Sequence, residues 1–293
     1  MRLMRRQISL LAISAAIVCT ACVPARAQDD TQILMPEQSA AKAKQLLQQT
    51  IQALGGNPYL DVKDSSCTGY LGQFGHSGAL QSYDQFWDFV KFPDKDRTEF
   101  SKKRNIIQIF NGNEGWVLDR GGVSDADASQ VKDNQNQLET DLDYVLRYRM
   151  KEPNMIFRYD GPDVVDLKEA DWVEIDDPQG HQIRIAIGRL DHLPIRKEVD
   201  SRDPITHMRV EEVDYYSNFH SVDGVMMYFD QTHMRNGLKA FTVSYIPDGC
   251  KFNTGLQDSL FTKESLDERW AKIGKKGRKD KTKEVKEKDA SGP

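Results

Sequence analysis

Apolar positions along this chain follow two different periods. Between Ser39 and Leu54, the residues Ala43, Leu46, Leu47, Thr50, Ile51 and Leu54 recur every three to four positions, and Gly55-Gly56 follows. That spacing puts one stripe on one face of an α-helix, and the glycine pair ends it. From Ser65 onward the period shortens to two and the runs shorten with it. Ser82–Phe92 sets Tyr83, Trp87 and Phe89 on one face and Phe86, Val90 and Phe92 on the other, so both faces of that strand are expected to be covered.

Turn chemistry then divides the chain. Ile106–Phe110 and Trp116–Asp119 flank Asn111-Gly112-Asn113-Glu114-Gly115, and Trp172–Ile175 and His181–Ile187 flank Asp176-Asp177-Pro178-Gln179-Gly180. Both pairs read as β-hairpins. In the second, Ile183, Ile185 and Ile187 face one way, with Gln182 and Arg184 opposite. Ile195–Val199, Met208–Tyr216, Gly224–Met234 and Ala240–Tyr245 continue the series, punctuated by Asp223-Gly224 and Asn236-Gly237. Strands at this spacing without helical crossovers predict an antiparallel meander. One helix interrupts it, Asn134–Met150, with Leu138, Leu142, Val145, Leu146 and Met150 as its apolar stripe and Pro153 beyond its end.

The first 27 residues follow neither period. Arg2, Arg5 and Arg6 precede an apolar run, Ile8–Val18, and Ala25-Arg26-Ala27 precedes Gln28. These are the parts of a secretory signal peptide cleaved after Ala27, and the run is too short for a permanent anchor. A competing reading lipidates Cys22, because Thr20-Ala21-Cys22 resembles the end of a lipobox; Cys19 stands where such boxes carry Leu. The expected organisation is therefore signal peptide 1–27, extended segment 28–38, folded domain 39–265 and tail 266–293.

Charge refines this picture. The 293 residues carry a net charge of −5, and residues 1–27 contribute four arginines and no acid, which leaves −9 on the mature chain. An acidic protein is a poor general binder of nucleic acid. From Ala271 to Asp289 nine Lys/Arg stand against four Asp/Glu with almost nothing apolar. Such a segment cannot offset its ordering entropy by burial, so a disordered tail is expected, and anionic headgroups are its alternative partner. Export also changes the meaning of the cysteines. Only Cys67 and Cys250 remain after cleavage at Ala27. In an oxidising compartment they form one disulfide, worth about 5 kcal/mol on the chain-entropy model, or remain two buried thiols.

Chemistry is sparse. The six histidines have no metal-ligand spacing, and the chain has no G-x-S-x-G, P-loop or G-x-G-x-x-G. No catalytic residue, metal or cofactor is assigned, and the expectation is a protein that is not an enzyme. What remains is a surplus of large apolar side chains on strands, which either pack a closed core or line a cavity.

The order of these elements resembles the LolA/LolB-type periplasmic lipoprotein-carrier superfamily, in particular the outer membrane lipoprotein-sorting protein homologues of Gram-negative bacteria. The resemblance rests on Ala53-Leu54-Gly55-Gly56, Lys91-Phe92-Pro93-Asp94-Lys95, Phe110-Asn111-Gly112 before Gly115-Trp116, and Leu193-Pro194. Tyr215-Tyr216-Ser217-Asn218-Phe219 before Val222-Asp223-Gly224-Val225, and the closing run from Asn253 to Phe261, complete it. It implies an α+β, mainly β fold: a curved antiparallel sheet, a half-open and incomplete β-barrel, with an N-terminal helix and a lid helix. The cavity residues expected on this basis are Trp87, Phe89, Phe110, Trp116 and Leu142, with Arg147 and Arg149 as arginines at the lid. The implied role is an exported periplasmic protein that holds an acyl chain, lipid or acylated lipoprotein, as carrier or sensor, with an inner- or outer-membrane protein as possible partner. The alternative is a non-catalytic envelope interaction module with a packed core.

Overall fold

Helix α1 (Pro36–Ala53) buries Ala43, Leu46, Leu47, Thr50 and Ile51, the stripe that its periodicity requires. It begins three residues before the expected Ser39, with Pro36 in its first turn, where a missing N–H costs nothing. Gly55, at φ +126°, lets the chain leave the helix against the Asp223-Gly224 turn: a Cβ there would lie 2.5 Å from the carbonyl oxygen of Gly224. The short helix α2 (Asn57–Leu60) follows. The computed structural model describes residues 34–203 and 207–273. The expected signal peptide, the lipidation position Cys22, the start of the extended segment and the tail from 274 onward lie outside the described residues.

The strands form one antiparallel sheet. In chain order they are β1 (Asp64–Phe74), β2 (Leu80–Lys91), β3 (Lys95–Phe100), β4 (Ile106–Asn111), β5 (Glu114–Asp119) and β6 (Gly122–Asp125). After the helical interruption come β7 (Ile156–Val165), β8 (Lys168–Asp176), β9 (Gln182–Gly188), β10 (Pro194–Arg202), β11 (Arg209–Val222), β12 (Val225–Arg235), β13 (Leu238–Tyr245) and β14 (Lys251–Phe252). The spatial order is β6-β5-β4-β3-β2-β1-β13-β12-β11-β10-β9-β8-β7, with β14 added beside β1. Two consecutive meanders are thus joined where β1 pairs with β13, Gly69 opposite Tyr245. The sheet is curved and unclosed, as the resemblance implies. Among the described residues, no helix is long and apolar enough to cross a membrane.

That order has a topological consequence. β6 and β7 follow one another in sequence yet occupy opposite edges of the sheet. The segment between them must therefore travel across the sheet, and it carries helices α3 (Ala128–Thr140) and α4 (Leu142–Arg147) and a 3-10 turn at Arg149–Lys151. The single helix expected over Asn134–Met150 is a correction. Asp141 is extended, at φ −61° and ψ 138°, and its carboxylate accepts the Tyr144 N–H at 3.0 Å as the N-cap of a new helix. A side-chain cap satisfies an otherwise orphaned donor, so the chain breaks there instead of continuing.

Two cores result. On the face toward α1 and α4, Leu47, Val145, Val173, Ile175, Ile183 and Ile185 form a fully buried cluster. On the other face of β3–β5, Ile107, Ile109 and Leu118 pack with Phe261 and Leu266. Leu266 belongs to a helix, α5, over residues 263–273. The boundary expected at 266 therefore falls inside a helix: burying a leucine fully is worth about 1.5–3 kcal/mol, enough to hold that turn on the sheet. Cys67 on β1 and Cys250 before β14 are joined as a disulfide, their Cα atoms 4.0 Å apart across a sequence separation of 183.

Candidate functional site

Strand β2 shows how the site is built. Its alternation sends Asp88 and Val90 to the face beneath the lid, and Phe89 to the opposite face, where it packs with the cluster around Leu266. Gly69 faces Phe86 across the β1–β2 pair, and a Cβ at that position would come within 2.8 Å of the Phe86 ring. The missing side chain at Gly69 leaves room for the Phe86 ring on that face of the β1–β2 pair.

Between α3–α4 and strands β1, β2, β12 and β13 lies a cavity of about 290 Å³. Its apolar wall includes Val90, Phe92, Leu138, Leu142, Val225 and Met226. The expected cavity residues divide unequally. Leu142 lines it from the lid. Phe89 and Trp116 instead join the outer cluster, and Trp87 has the Arg104 guanidinium 5.0 Å from its ring centroid. Phe110 stands opposite Asp96 and Gly115 in the register, and its ring fills the space that a side chain at Gly115 would need. It does not reach the cavity lining. Alternation separated the two sets of side chains correctly; which set faces inward depended on α5, whose apolar residues cover the outer face.

Polar groups shape the rest of the cavity. Tyr59 donates its hydroxyl to Asp143 Oδ1 at 2.6 Å. The Arg147 guanidinium lies 4.0 Å from the Tyr59 ring centroid and 4.7 Å from that of Phe92, and Arg147 donates to the Tyr59 carbonyl. Stacked between two rings and only 7% exposed, Arg147 ties α4 to α2 and β2. Arg149 works further out: it donates to Asp177 Oδ2 at 2.9 Å and to the Glu139 carbonyl at 2.5 Å. Burial pushes the Asp177 carboxyl up, but hydrogen bonds from His181 and Arg149 outweigh it and hold the group at about 2. Both arginines singled out at the lid thus bind it to the sheet side, through different partners.

Four carboxyls at this cavity were not singled out from the sequence: Asp88, Asp96, Asp141 and Asp143. Burial raises Asp88 well above the usual carboxylate range, and the charge of Asp96 adds to it. Burial likewise moves Asp96 to about 6; it moves Asp141 to about 6 with the charge of Asp143 adding to it. The available signal was Asp88 itself, a charge set between Trp87 and Phe89 within the aromatic run Phe86–Phe92. Asp96 had none, because it stands among Lys95, Arg97 and Glu99, where one more charge is not distinctive.

A curved, unclosed antiparallel sheet with helices over one face and a cavity beneath them is the architecture of the LolA-type fold. The solved structures agree. A DUF1329 family protein from Desulfovibrio piger superposes with a TM-score of 0.55 at 14% identity, covering 76% of this chain and 98% of the other. A LolA superfamily protein from Nitrosomonas europaea gives 0.50 at 13%, covering 76% and 99%. A putative outer membrane lipoprotein-sorting protein domain from Vibrio parahaemolyticus gives 0.51 at 12%, covering 78% and 99%. At these identities the likeness is one of fold. No protein-family model matches the sequence, and no curated protein does.

Proposed function

We propose that this chain is an exported periplasmic binding protein that holds an acyl chain, lipid or acylated lipoprotein under α3–α4, as carrier or sensor in the outer-membrane lipoprotein pathway. One observation carries this reading: the cavity of about 290 Å³, walled mainly by apolar side chains, lies between the sheet and a segment that only crosses it. That volume is close to the lower end of small-molecule sites, and each buried methylene of an acyl chain contributes about 0.8 kcal/mol. A chain of moderate length therefore binds without a charged anchor. The fold shared with a lipoprotein-sorting domain supports the same class of cargo. The export signal over 1–27 and the basic run from Ala271 to Asp289, with its affinity for anionic headgroups, are part of the proposal.

The test is direct. Protein purified from a Gram-negative periplasm is extracted with organic solvent, and the delipidated protein is titrated with a monoacylated peptide by calorimetry. Co-extracted lipid, or saturable binding of the peptide but not of its unacylated form, is expected. If neither is found, the cavity is not a lipid site and the reading falls to a packed envelope interaction module.

A further inference from the structure

The wall of this cavity is apolar, but its charged groups are unbalanced. Asp88, Asp94, Asp96, Asp141 and Asp143 line it, against Lys95 and Arg147. Both cations are already engaged. Lys95 Nζ lies 2.6 Å from Asp258 Oδ1, and Arg147 is held by Tyr59, Phe92 and Asp143. Asp88 and Asp96 share a neutral neighbour, the Thr98 hydroxyl, which lies 3.1 Å from Asp96 Oδ1. Among the described residues, neither has a cationic partner within ion-pair distance. They come from adjacent strands of one register, Asp88 opposite Thr98 and Asp96 opposite Val90, so the two carboxyls sit diagonally on one face. An apolar enclosure disfavours an unpaired carboxylate, and two neighbouring ones more so. A cation entering the cavity relieves that cost, whereas an anion adds to it.

We propose that the cavity selects amphiphiles whose head group is cationic and donates hydrogen bonds, an alkyl amine being the simplest, and rejects carboxylate heads. The ammonium sits against Asp88 and Asp96, and the chain runs along Val90, Leu138 and Leu142. This inference rests on the lipid-binding reading of the same cavity. Three N–H donors match two carboxylates, with Tyr228 and Tyr245 lining the same space from β12 and β13. The groups facing the pair are Asp94 and Lys95 from the turn into β3, Asp141, Asp143 and Arg147 from the lid, Tyr59 from α2, and those two tyrosines. Of the acids, Asp96 and Asp141 change charge near pH 6. Selectivity for the amine is therefore greatest above pH 6 and falls as these groups are protonated.

The experiment titrates the full mature chain with decylamine, decanol and decanoate by calorimetry at pH 7.5 and pH 5, in 0.15 M and 0.5 M salt. At pH 7.5 decylamine is expected to bind about tenfold or more tighter than decanoate, with decanol between them. Decanol should displace decylamine, and the preference should survive 0.5 M salt, which screens attraction to the acidic exterior. At pH 5 the gap should narrow to about threefold or less, and the double variant Asp88→Asn/Asp96→Asn should show the same narrowing at pH 7.5 while still binding decanol. If that variant does not fold, the wild-type preference for decylamine over decanol decides, because neither head group changes charge between pH 5 and pH 7.5, and it too should narrow at pH 5. Decanoate binding as tightly as decylamine, or a preference unchanged by pH, overturns the inference and leaves the lipid site standing. Failure of all three to bind, decanol included, overturns both.

Discussion

The ammonium of Lys197, on β10, donates to the carbonyl of Thr140, the last residue of α3, at 3.0 Å. The same nitrogen lies 3.0 Å from Asp214 Oδ2, whose other oxygen meets His233 Nδ1 at 2.8 Å. A cation at the end of a helix also faces the negative pole of its dipole. Burial alone would lower the Lys197 pKa, but Asp214 and Asp141 outweigh it and raise it, so the group is charged at neutral pH. Together with Arg149 on the Glu139 carbonyl, this fastens the joint between α3 and α4 to the sheet. The α3 half, by contrast, has only Thr140 buried. The lid is thus fixed at its hinge and lightly held at its far end.

Removing that fastening should be costly. Lys197→Ala leaves Asp214 buried with only His233 as an ionisable partner, and breaking a buried pair costs about 3–5 kcal/mol. Thermal unfolding should show the loss. Hydrogen exchange should show it locally, with amides of 128–147 losing protection before those of β8–β9. Uniform loss across the sheet would assign Lys197 to general stability and not to the lid.

The pH dependence of Asp141 has a definite sign. Its folded value, about 6, lies above the ordinary carboxylate value of 3.8. The folded state therefore binds the proton more tightly, and the cost of the charge grows as pH rises from about 4 to about 6, then stays constant. Asp141→Asn keeps an N-cap acceptor and removes the charge. It should stabilise the protein at pH 7.5 by roughly 1–3 kcal/mol and make no difference below pH 4. Denaturant unfolding at both pH values checks this. Asp177 has the opposite sign: held at about 2, it contributes stability above pH 4 that is lost as pH falls through 2.

Placing Phe89 on the outer face changes what its substitution does. Leu142→Asp should abolish acyl binding by putting a charge in the cavity wall, in a variant whose near-ultraviolet spectrum remains native. Phe89→Asp should lower the melting temperature by disturbing the cluster with Leu266, with acyl affinity unchanged in the folded fraction. Since neither Trp87 nor Trp116 lines the cavity, bound acyl chain should leave their emission maximum unshifted. A blue shift would mean that the ligand binds elsewhere.

Leu266 tests where the folded domain ends. It is fully buried among Ile107, Ile109 and Phe261, so Leu266→Ala should cost about 2–5 kcal/mol. Chemical unfolding measures this. A change below about 0.5 kcal/mol would return residues beyond 265 to the tail.

The cysteines make a simple case. Denatured, unreduced protein produced in an oxidising compartment should show no free thiol at Cys67 or Cys250, which are bonded and 4% exposed each. Two labelled thiols per chain would contradict the pairing. Cys67→Ser/Cys250→Ser should lower stability by about 2–5 kcal/mol, since the bridge closes most of the chain.

Local pattern alone determined the elements whose two faces differ in polarity. The stripe of α1 and the alternation of Ile183, Ile185 and Ile187 against Arg184 leave one arrangement that buries the apolar side, and the structure adopts it. Asn111–Gly115 and Asp176–Gly180 encoded their hairpins because few residues tolerate the backbone such turns need. Lys95–Phe100 carries four charged residues and Ile156–Val165 holds Gly161-Pro162 at its middle, so neither shows a clean apolar alternation, and their pairing comes from neighbouring strands. In β2 both faces carry large apolar side chains, so alternation sorts Phe89 from Val90 but carries no information about which is inside. Only the tertiary structure decides it: the 253–273 segment returns to cover Phe89, and the chain from β6 to β7 must cross above Val90 because its ends lie on opposite edges. The cavity and its acidic floor depend on contacts between residues far apart in sequence, which no local pattern records.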